Sequence, residues 1–505
     1  MPSHSRKLVV LVHGWSVRNT NTYGQLPARL QEVAHQRGDL QLDFENVWLS
    51  KYVSFRDEVR LEDISRAFQA AVETELRPLV ADGRRFACIT HSTGGPVVRD
   101  WWHRFYLDAG KPDACPMSHL IMLAPANFGS ALAQLGKGRL SRIRSWFQGV
   151  DPGSGVLEWL ELGSPEAWAL NRRWIDTPPV TTGPAPVFPF VLTGQTIDRR
   201  LYDHINAYTG EVGSDGVVRI AAANLNASVL ELAQELGEQD ASGRVTATFK
   251  INGPKASQRT AFAVIPGRSH SGEEIGILRS ITAGEAPHPT VDAIVRSLMV
   301  KDPGDYAKLC DAFEQETEAT IRAERVEAPS SFLRQDHYEI HDRHSMLIFR
   351  IRDDQGNVCE DFDFLLTAGD SNDPNLLPRG FLTDRQRNQR HRGTVTYYLN
   401  HDVLLGTSAI ADPRGGKKPP LRVAIEGVGK LGFKVDPHRA APKLFVRYAA
   451  AQLSASREHL ESVLKPHQTT LVDIVLRRIV GQGVLRLTTD QTLVDFADLD
   501  PGPPI

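Results

Sequence analysis

The strongest constraint on this chain lies between residues 85 and 107. Arg85 to Thr90 (RFACIT) is a short, mostly apolar run, the composition of a strand buried on both faces of a parallel sheet. It ends at His91-Ser92-Thr93-Gly94-Gly95, and the pattern predicts a helix over Gly94 to Leu107. A strand that passes directly into a helix must turn sharply. Small residues must flank that turn, because the two elements pass close together there. Gly94 meets the need on the far side. Thr90 stands on the near side, where the G-x-S-x-G pattern carries glycine, and so crowds the turn. In such a turn the Ser92 hydroxyl projects from the sheet edge as a nucleophile; the alternative is a structural serine.

The surrounding chain alternates in the same way. Leu8 to Val12 is a β-branched run closed by His13-Gly14, and Phe44 to Tyr52 reads as a second strand. Ile64, Phe68, Val72, Leu76 and Leu79 recur at helical spacing over Glu62 to Val80. His119 to Leu123, Val187 to Thr193 and Thr260 to Ile265 read as later strands, and Val291 to Val300 as a closing helix. Strands alternating with helices imply right-handed crossovers and a mostly parallel sheet. Two inserts interrupt the pattern: Asn127 to Pro186, which fits a helical lid or cap, and Asn224 to Gly243, which reads as a helical excursion.

The second half differs. Ser345 to Arg352, Asp353 to Asn357 and Val358 to Leu366 read as strand, turn and strand. Thr394 to Leu399, Leu421 to Ile425 and Lys430 to Val435 are further short strands, with a loop at Gly415 to Pro420. Glu458 to Leu464 and Leu471 to Ile479 read as helices. At 505 residues the chain exceeds one ordinary core. The expected division is an α/β domain over residues 1–327, with the lid at about 127–186, and a β-rich module over 328–505, a sandwich.

Three further motifs fit the chemistry of a serine nucleophile. Ester cleavage builds negative charge on the carbonyl oxygen, and two fixed backbone N–H donors stabilise it. One donor follows the nucleophile, at Thr93; the other comes from the loop after the first strand, at Trp15 or Gly14. An acid must orient the catalytic imidazole. Asp215, in Gly213-Ser214-Asp215-Gly216-Val217-Val218, follows the strand that ends at Thr193, and Asp198 is its rival. His270, in the glycine-flanked loop Gly267 to Gly272 after the last strand, is the expected base; His204 and His288 are its rivals among 17 histidines. The chain order Ser92, Asp215, His270 is the one an α/β-hydrolase fold requires.

These residues resemble bacterial lipases of the α/β-hydrolase superfamily. The Leu11-Val12-His13-Gly14 segment, the Thr90 to Gly95 elbow, the Ser214 to Val218 acid motif and the His270-Ser271-Gly272 loop match in order. Leu162 to Asn171 (LGSPEAWALN) looks like the region after the elbow in lecithin acyltransferase-like and GPI-deacylase-like lipases, and Ala124 to Ser130 (APANFGS) resembles their T-P-x-x-G-S segment. The resemblance covers roughly residues 7–300 and implies hydrolysis of lipid esters by Ser92, Asp215 and His270. A lipase with an added β-rich module also looks like phospholipase effectors of type VI secretion. The same triad would equally serve an acyltransferase or thioesterase, or persist in a hydrolase-derived binding scaffold.

Composition narrows the partners. The net charge of -3 gives no global reason to expect nucleic acid. Four scattered cysteines without a CxxC pair suit a reducing compartment. No targeting segment and no run of about 20 apolar residues is visible. The expectation is a cytoplasmic protein, or one exported by a signal-peptide-independent route, with at most peripheral membrane contact. Leu132, Trp146, Phe147 and Trp159 beside Lys137, Arg139, Arg142, Arg144, Arg172 and Arg173 suit a lid that meets acyl chains and anionic headgroups, or else a cap with its own small core. No cofactor is expected. Neither His341-Asp342-Arg343-His344 nor the acidic pairs around residues 353–363 are expected to bind metal. The β-rich module is a candidate surface for a protein partner.

Overall fold

The computed structural model describes residues 5–480 apart from 14–22, 39, 50–57, 81–82, 136–152, 178–180, 199–210, 240–244, 285–286, 325, 328–338, 370, 372, 407–426 and 438–445. Its first half runs β1 (Ser5–His13), α1 (Leu26–Gly38), β2 (Leu40–Trp48), α2 (Leu61–Ala71), β3 (Phe86–His91), α3 (Gly94–Trp102) and β4 (Met117–Leu123). After it come α4 (Ser154–Leu160), α5 (Pro165–Asp176), β5 (Phe188–Thr193), α6 (Ile220–Ala223), β6 (Ser228–Gln239), β7 (Val245–Ala256), β8 (Ala261–Val264), α7 (Pro289–Leu298) and α8 (Pro303–Ala323). Six strands pair in the order β2-β1-β3-β4-β5-β8, every pair parallel.

Both faces of this sheet are covered, which is why its strands read as unbroken apolar runs. Val10, Val12, Cys88, Leu120 and Met122 join Phe68 and Trp101 on one face. Their strand neighbours Val9, Leu11, Ala87, Ile89 and Ile121 join Leu30, Ile294 and Phe313 on the other. The alternation is the pleat expressed as two cores. The result is the expected α/β-hydrolase core.

The described part of the 127–186 insert is helical and firmly packed. Trp159, Leu160, Trp168 and Trp174 share the core of Trp101 and Trp102. Buried Arg99 of α3 donates to the Oδ1 atoms of Asn127 and Asn171 at 3.1 Å each. Arg172 pairs with Asp176 and Glu231, and Arg173 with Asp100 and Asp108. Lys137, Arg139, Arg142, Arg144, Trp146 and Phe147 lie outside the described residues.

The second half continues with β9 (Val326–Glu327), β10 (Glu339–Ile340), β11 (His344–Asp353), β12 (Phe362–Thr367), β13 (Leu382–Arg387), β14 (Thr394–Asn400), β15 (Lys430–Pro437), β16 (Val446–Arg447), β17 (Ala451–Ser456), β18 (Thr469–Leu476) and β19 (Ile479–Val480). A mixed six-stranded sheet runs β13-β14-β11-β18-β6-β7, and a three-stranded sheet runs β12-β15-β17. Phe349, Phe364, Tyr397 and Phe433 fill the space between these two sheets. The alternate residues Met346, Ile348, Tyr398 and Leu471 face the α/β unit and belong to its core. The central strands β14, β11 and β18 therefore form a shared wall, buried on both sides, while the edge strands β13 and β7 are largely exposed.

Two expectations are corrected here. Asn224 to Gly243 is not a helical excursion: it holds β6, which pairs parallel with β18 and antiparallel with β7. Its Leu, Glu, Gln and Ala content favours helix, and sheet pairing overrides that weak preference. Leu471 to Ile479 is not helical either, since β18 lies between β11 and β6 in the sheet. A short apolar run does not distinguish buried strand from buried helix by period alone. The strands flanking the Asp353 to Asn357 turn meet at one bridge, Arg352 to Val358. They then part, β11 into the mixed sheet and β12 into the smaller one. The expected strand at Leu421 to Ile425 and loop at Gly415 to Pro420 lie outside the described residues.

Burial also fixes an acid response. The imidazoles of His91, His103, His119, His344, His401 and His467 are each held below the ordinary histidine value of 6.5, chiefly by desolvation. Below about pH 6.5 the unfolded chain takes up protons that the folded chain refuses, so stability falls as pH drops from there. Thermal denaturation scans should show the midpoint falling between pH 6.5 and 4. His103, pushed down to about 3, has neither ring nitrogen hydrogen-bonded among the described residues. His103→Phe should lessen the pH dependence by up to about 1.4 kcal/mol per pH unit.

Candidate active site

Ser92 sits in the turn between β3 and α3 with φ of 53°, left-handed for a non-glycine residue. Its N–H donates to Leu123 O at 3.0 Å, and its carbonyl accepts from Gly95 N at 3.2 Å. The crowding expected from Thr90 is visible: a Cβ on Gly94 would lie 3.2 Å from Thr90 Cβ, and one on Gly95 would lie 2.8 Å from Pro125 Cβ. Thr90 fits on the near side because the far side has no side chain. Thr93 takes helical backbone angles and caps α3. The positive end of that helix therefore lies at the turn.

The three expected side chains meet. His270 Nε2 lies 3.1 Å from Ser92 Oγ, and His270 Nδ1 lies 2.9 Å from Asp215 Oδ2. The other carboxylate oxygen, Oδ1, accepts from the N–H groups of Val217 at 3.0 Å and Val218 at 2.7 Å. His270 N–H donates to Asp215 O at 2.9 Å, so the two loops are tied by backbone as well. The Asp215 and His270 side chains are 0% and 1% exposed. Hydroxyl, imidazole and buried carboxylate stand in the order that a nucleophile, a base and a group orienting the base would need.

The rivals are placed elsewhere. Asp198 sits beside the His270 loop, where its Oδ2 would lie 2.2 Å from a Cβ on Gly272, but the imidazole is turned to Asp215. His288 caps α7 and pairs with Ser280 Oγ at 3.2 Å. His204, Gly14 and Trp15 lie outside the described residues. The 341–344 cluster forms protein contacts: Arg343 pairs with Asp402, and His344 Nε2 lies 3.1 Å from Thr383 Oγ1. Among the described residues no group of three His, Cys, Asp or Glu side chains has the geometry to hold a metal.

Two supports were not legible in the sequence. His91 Nε2 lies 3.2 Å from His270 O, and burial together with the nearby His270 ring lowers its pKa to about 3. A neutral imidazole there donates to that carbonyl and holds the base loop. The 124–130 segment holds the Asp215 loop and the short helix after it: Ser130 Oγ donates to Val217 O at 2.6 Å, and Asn127 Nδ2 donates to Ala223 O at 2.7 Å. Its partners lie nearly a hundred residues along the chain, a distance that local sequence pattern does not span.

The strained backbone at Ser92 yields a stability prediction. Glycine adopts φ of 53° freely, whereas alanine retains the steric conflict. Urea denaturation should find Ser92→Gly more stable than Ser92→Ala by about 1 kcal/mol.

No protein-family model and no curated protein sequence matches the chain. Solved structures do. The phospholipase PlaB from Legionella pneumophila is 42% identical, with a TM-score of 0.83 and 99% of each chain covered. A second structure of that enzyme, in complex with thio-NAD, is 40% identical with a TM-score of 0.81, covering 99% of this chain and 100% of that one. The likeness spans the mixed sheet as fully as the α/β core, and the chain belongs to the family of the Legionella phospholipase PlaB, enzymes of the α/β-hydrolase fold.

Proposed function

We propose that this protein is a phospholipase that cleaves carboxylic esters of lipids through an acyl-enzyme on Ser92. The observation that carries the reading is the unbroken hydrogen-bonded line from Ser92 Oγ through His270 to Asp215. The substrate class follows from the full-length likeness to a phospholipase.

His270 Nε2 takes the hydroxyl proton as Ser92 Oγ attacks the ester carbonyl. Asp215 keeps Nδ1 protonated and stabilises the imidazolium that forms. Its own second oxygen is occupied by the Val217 and Val218 N–H groups, so it has little freedom to rotate away. The N–H of Thr93 is one oxyanion donor, and the sequence offers Trp15 or Gly14, outside the described residues, as the other. The tetrahedral species collapses, and His270 gives its proton to the departing alcohol, here the lysophospholipid. Water then attacks the acyl-enzyme with His270 again as base, and the fatty acid leaves.

Hydrolysis of p-nitrophenyl esters from acetate to palmitate, and of phosphatidylcholine and phosphatidylglycerol vesicles, tests the reading. Ser92→Ala should lower kcat by several orders of magnitude and abolish fluorophosphonate labelling. Asp215→Asn should lower kcat by about 10³- to 10⁴-fold, because the imidazole then settles in the wrong tautomer. Persistent hydrolysis by Ser92→Ala would overturn the proposal.

A further inference from the structure

The loop that carries Asp215 is held by the β-rich half of the chain. Tyr398 of β14 donates its hydroxyl to Gly213 O at 2.9 Å, two residues before the acid. Gly213 has φ of 79°, and a Cβ there would fall 2.4 Å from Tyr398 Oη and 3.0 Å from His344 Nδ1. The loop backbone is thus pressed directly onto a ring pair. Tyr398 and His344 stack at 4.5 Å with 14° between their planes.

The other end of the loop is clamped by charge. Arg219 donates from Nε and Nη2 to both carboxylate oxygens of Glu211, at 2.8 and 2.7 Å, which closes the loop on itself. Arg219 also pairs with Asp384 of β13, and its guanidinium lies 4.2 Å from the centre of the Tyr398 ring. The Arg219 side chain is 1% exposed. A cation so buried needs its partners: removing one leaves the charge uncompensated. The loop from residue 211 to 219 is therefore pinned at both ends by one sheet, with Asp215 at its tip.

We propose that Tyr398, Asp384 and Arg219 are positioning residues of the reaction, through which the C-terminal sheet sets the Asp215 carboxylate against His270. The proposal rests on the triad reading above. Its physical basis is the steep dependence of catalysis on geometry, where misplacement by about 1 Å costs on the order of 100-fold.

The test compares Tyr398→Phe and Asp384→Asn with Tyr397→Phe. Tyr397 lies next to Tyr398 but faces the opposite side of the sheet, where its hydroxyl donates to Phe364 O at 3.2 Å. Kinetics on a soluble p-nitrophenyl ester, the rate of fluorophosphonate labelling and the thermal midpoint are measured for each, alone and in the Asp215→Asn background. Tyr398→Phe and Asp384→Asn should each lower kcat and the labelling rate by about 10-fold or more, with KM within about twofold. Tyr397→Phe should change only the thermal midpoint. In the Asp215→Asn background the two positioning variants should add little, because the group they orient is already disabled. Equal losses with and without Asp215, or a lower midpoint with unchanged kcat, would overturn the proposal. If Tyr398→Phe fails to fold, Asp384→Asn alone decides on the same readouts. Loss of activity in Ser92→Ala with full activity in both positioning variants would sink this inference and leave the triad reading intact.

Discussion

The left-handed backbone at Ser92 is the constraint on which the rest of this structure depends. A non-glycine residue held there costs on the order of 1–3 kcal/mol and persists only where its surroundings leave no alternative. Here β3 is locked between β1 and β4 by parallel ladders, and α3 is packed through Trp101 and Trp102. Strand and helix directions are both fixed before the turn is made. The turn then has one conformation, which lifts the hydroxyl out of the sheet edge and aims the start of α3 at the same point. Gly94 and Gly95 follow from that geometry, since a Cβ at Gly95 would overlap Pro125 and one at Gly94 would crowd Thr90.

Asp215 and His270 arrive from the far end of the sheet, and neither is held by its own strand alone. His270 is tied back to the elbow through His91, and its backbone N–H is tied to Asp215 O. The acid loop is gripped by the 124–130 segment on one side and by the mixed sheet on the other. Three short loops are thereby hydrogen-bonded to one another and to their surroundings, although none contains regular structure beyond a few residues. Dense hydrogen bonding substitutes for the stiffness that helices and strands supply elsewhere.

Much of this was legible in the sequence because the parallel sheet writes itself in local patterns. The central residues of β1, β3, β4 and β5 are buried on both faces, so they read as apolar runs. Ser92, Asp215 and His270 each follow a strand end, and the fold dictates their order. The mixed sheet was read less well, because its identity is set by partners far along the chain. Ser228 pairs with Thr470 and Leu232 with Ile474, and nothing in residues 228–239 announces such a neighbour. Tyr398, Arg219 and Asp384 were invisible for the same reason. Each is an unremarkable polar residue until the sheet brings β13 and β14 over the acid loop.

The place of β18 in the mixed sheet has a consequence for how the protein comes into being. β6 is made early and β11 later, but the strand that lies between them spans residues 469–476. Until residues 469–476 exist, the lane between β11 and β6 has no strand to fill it. The α/β core has all its own strands by residue 264, yet the wall against which its acid loop rests is completed only by the last fifth of the chain. Closing contacts across about 240 residues is slow relative to local structure formation. The mixed sheet therefore cannot reach its final strand order until residue 476 has been made, whatever the rest of the chain has already formed.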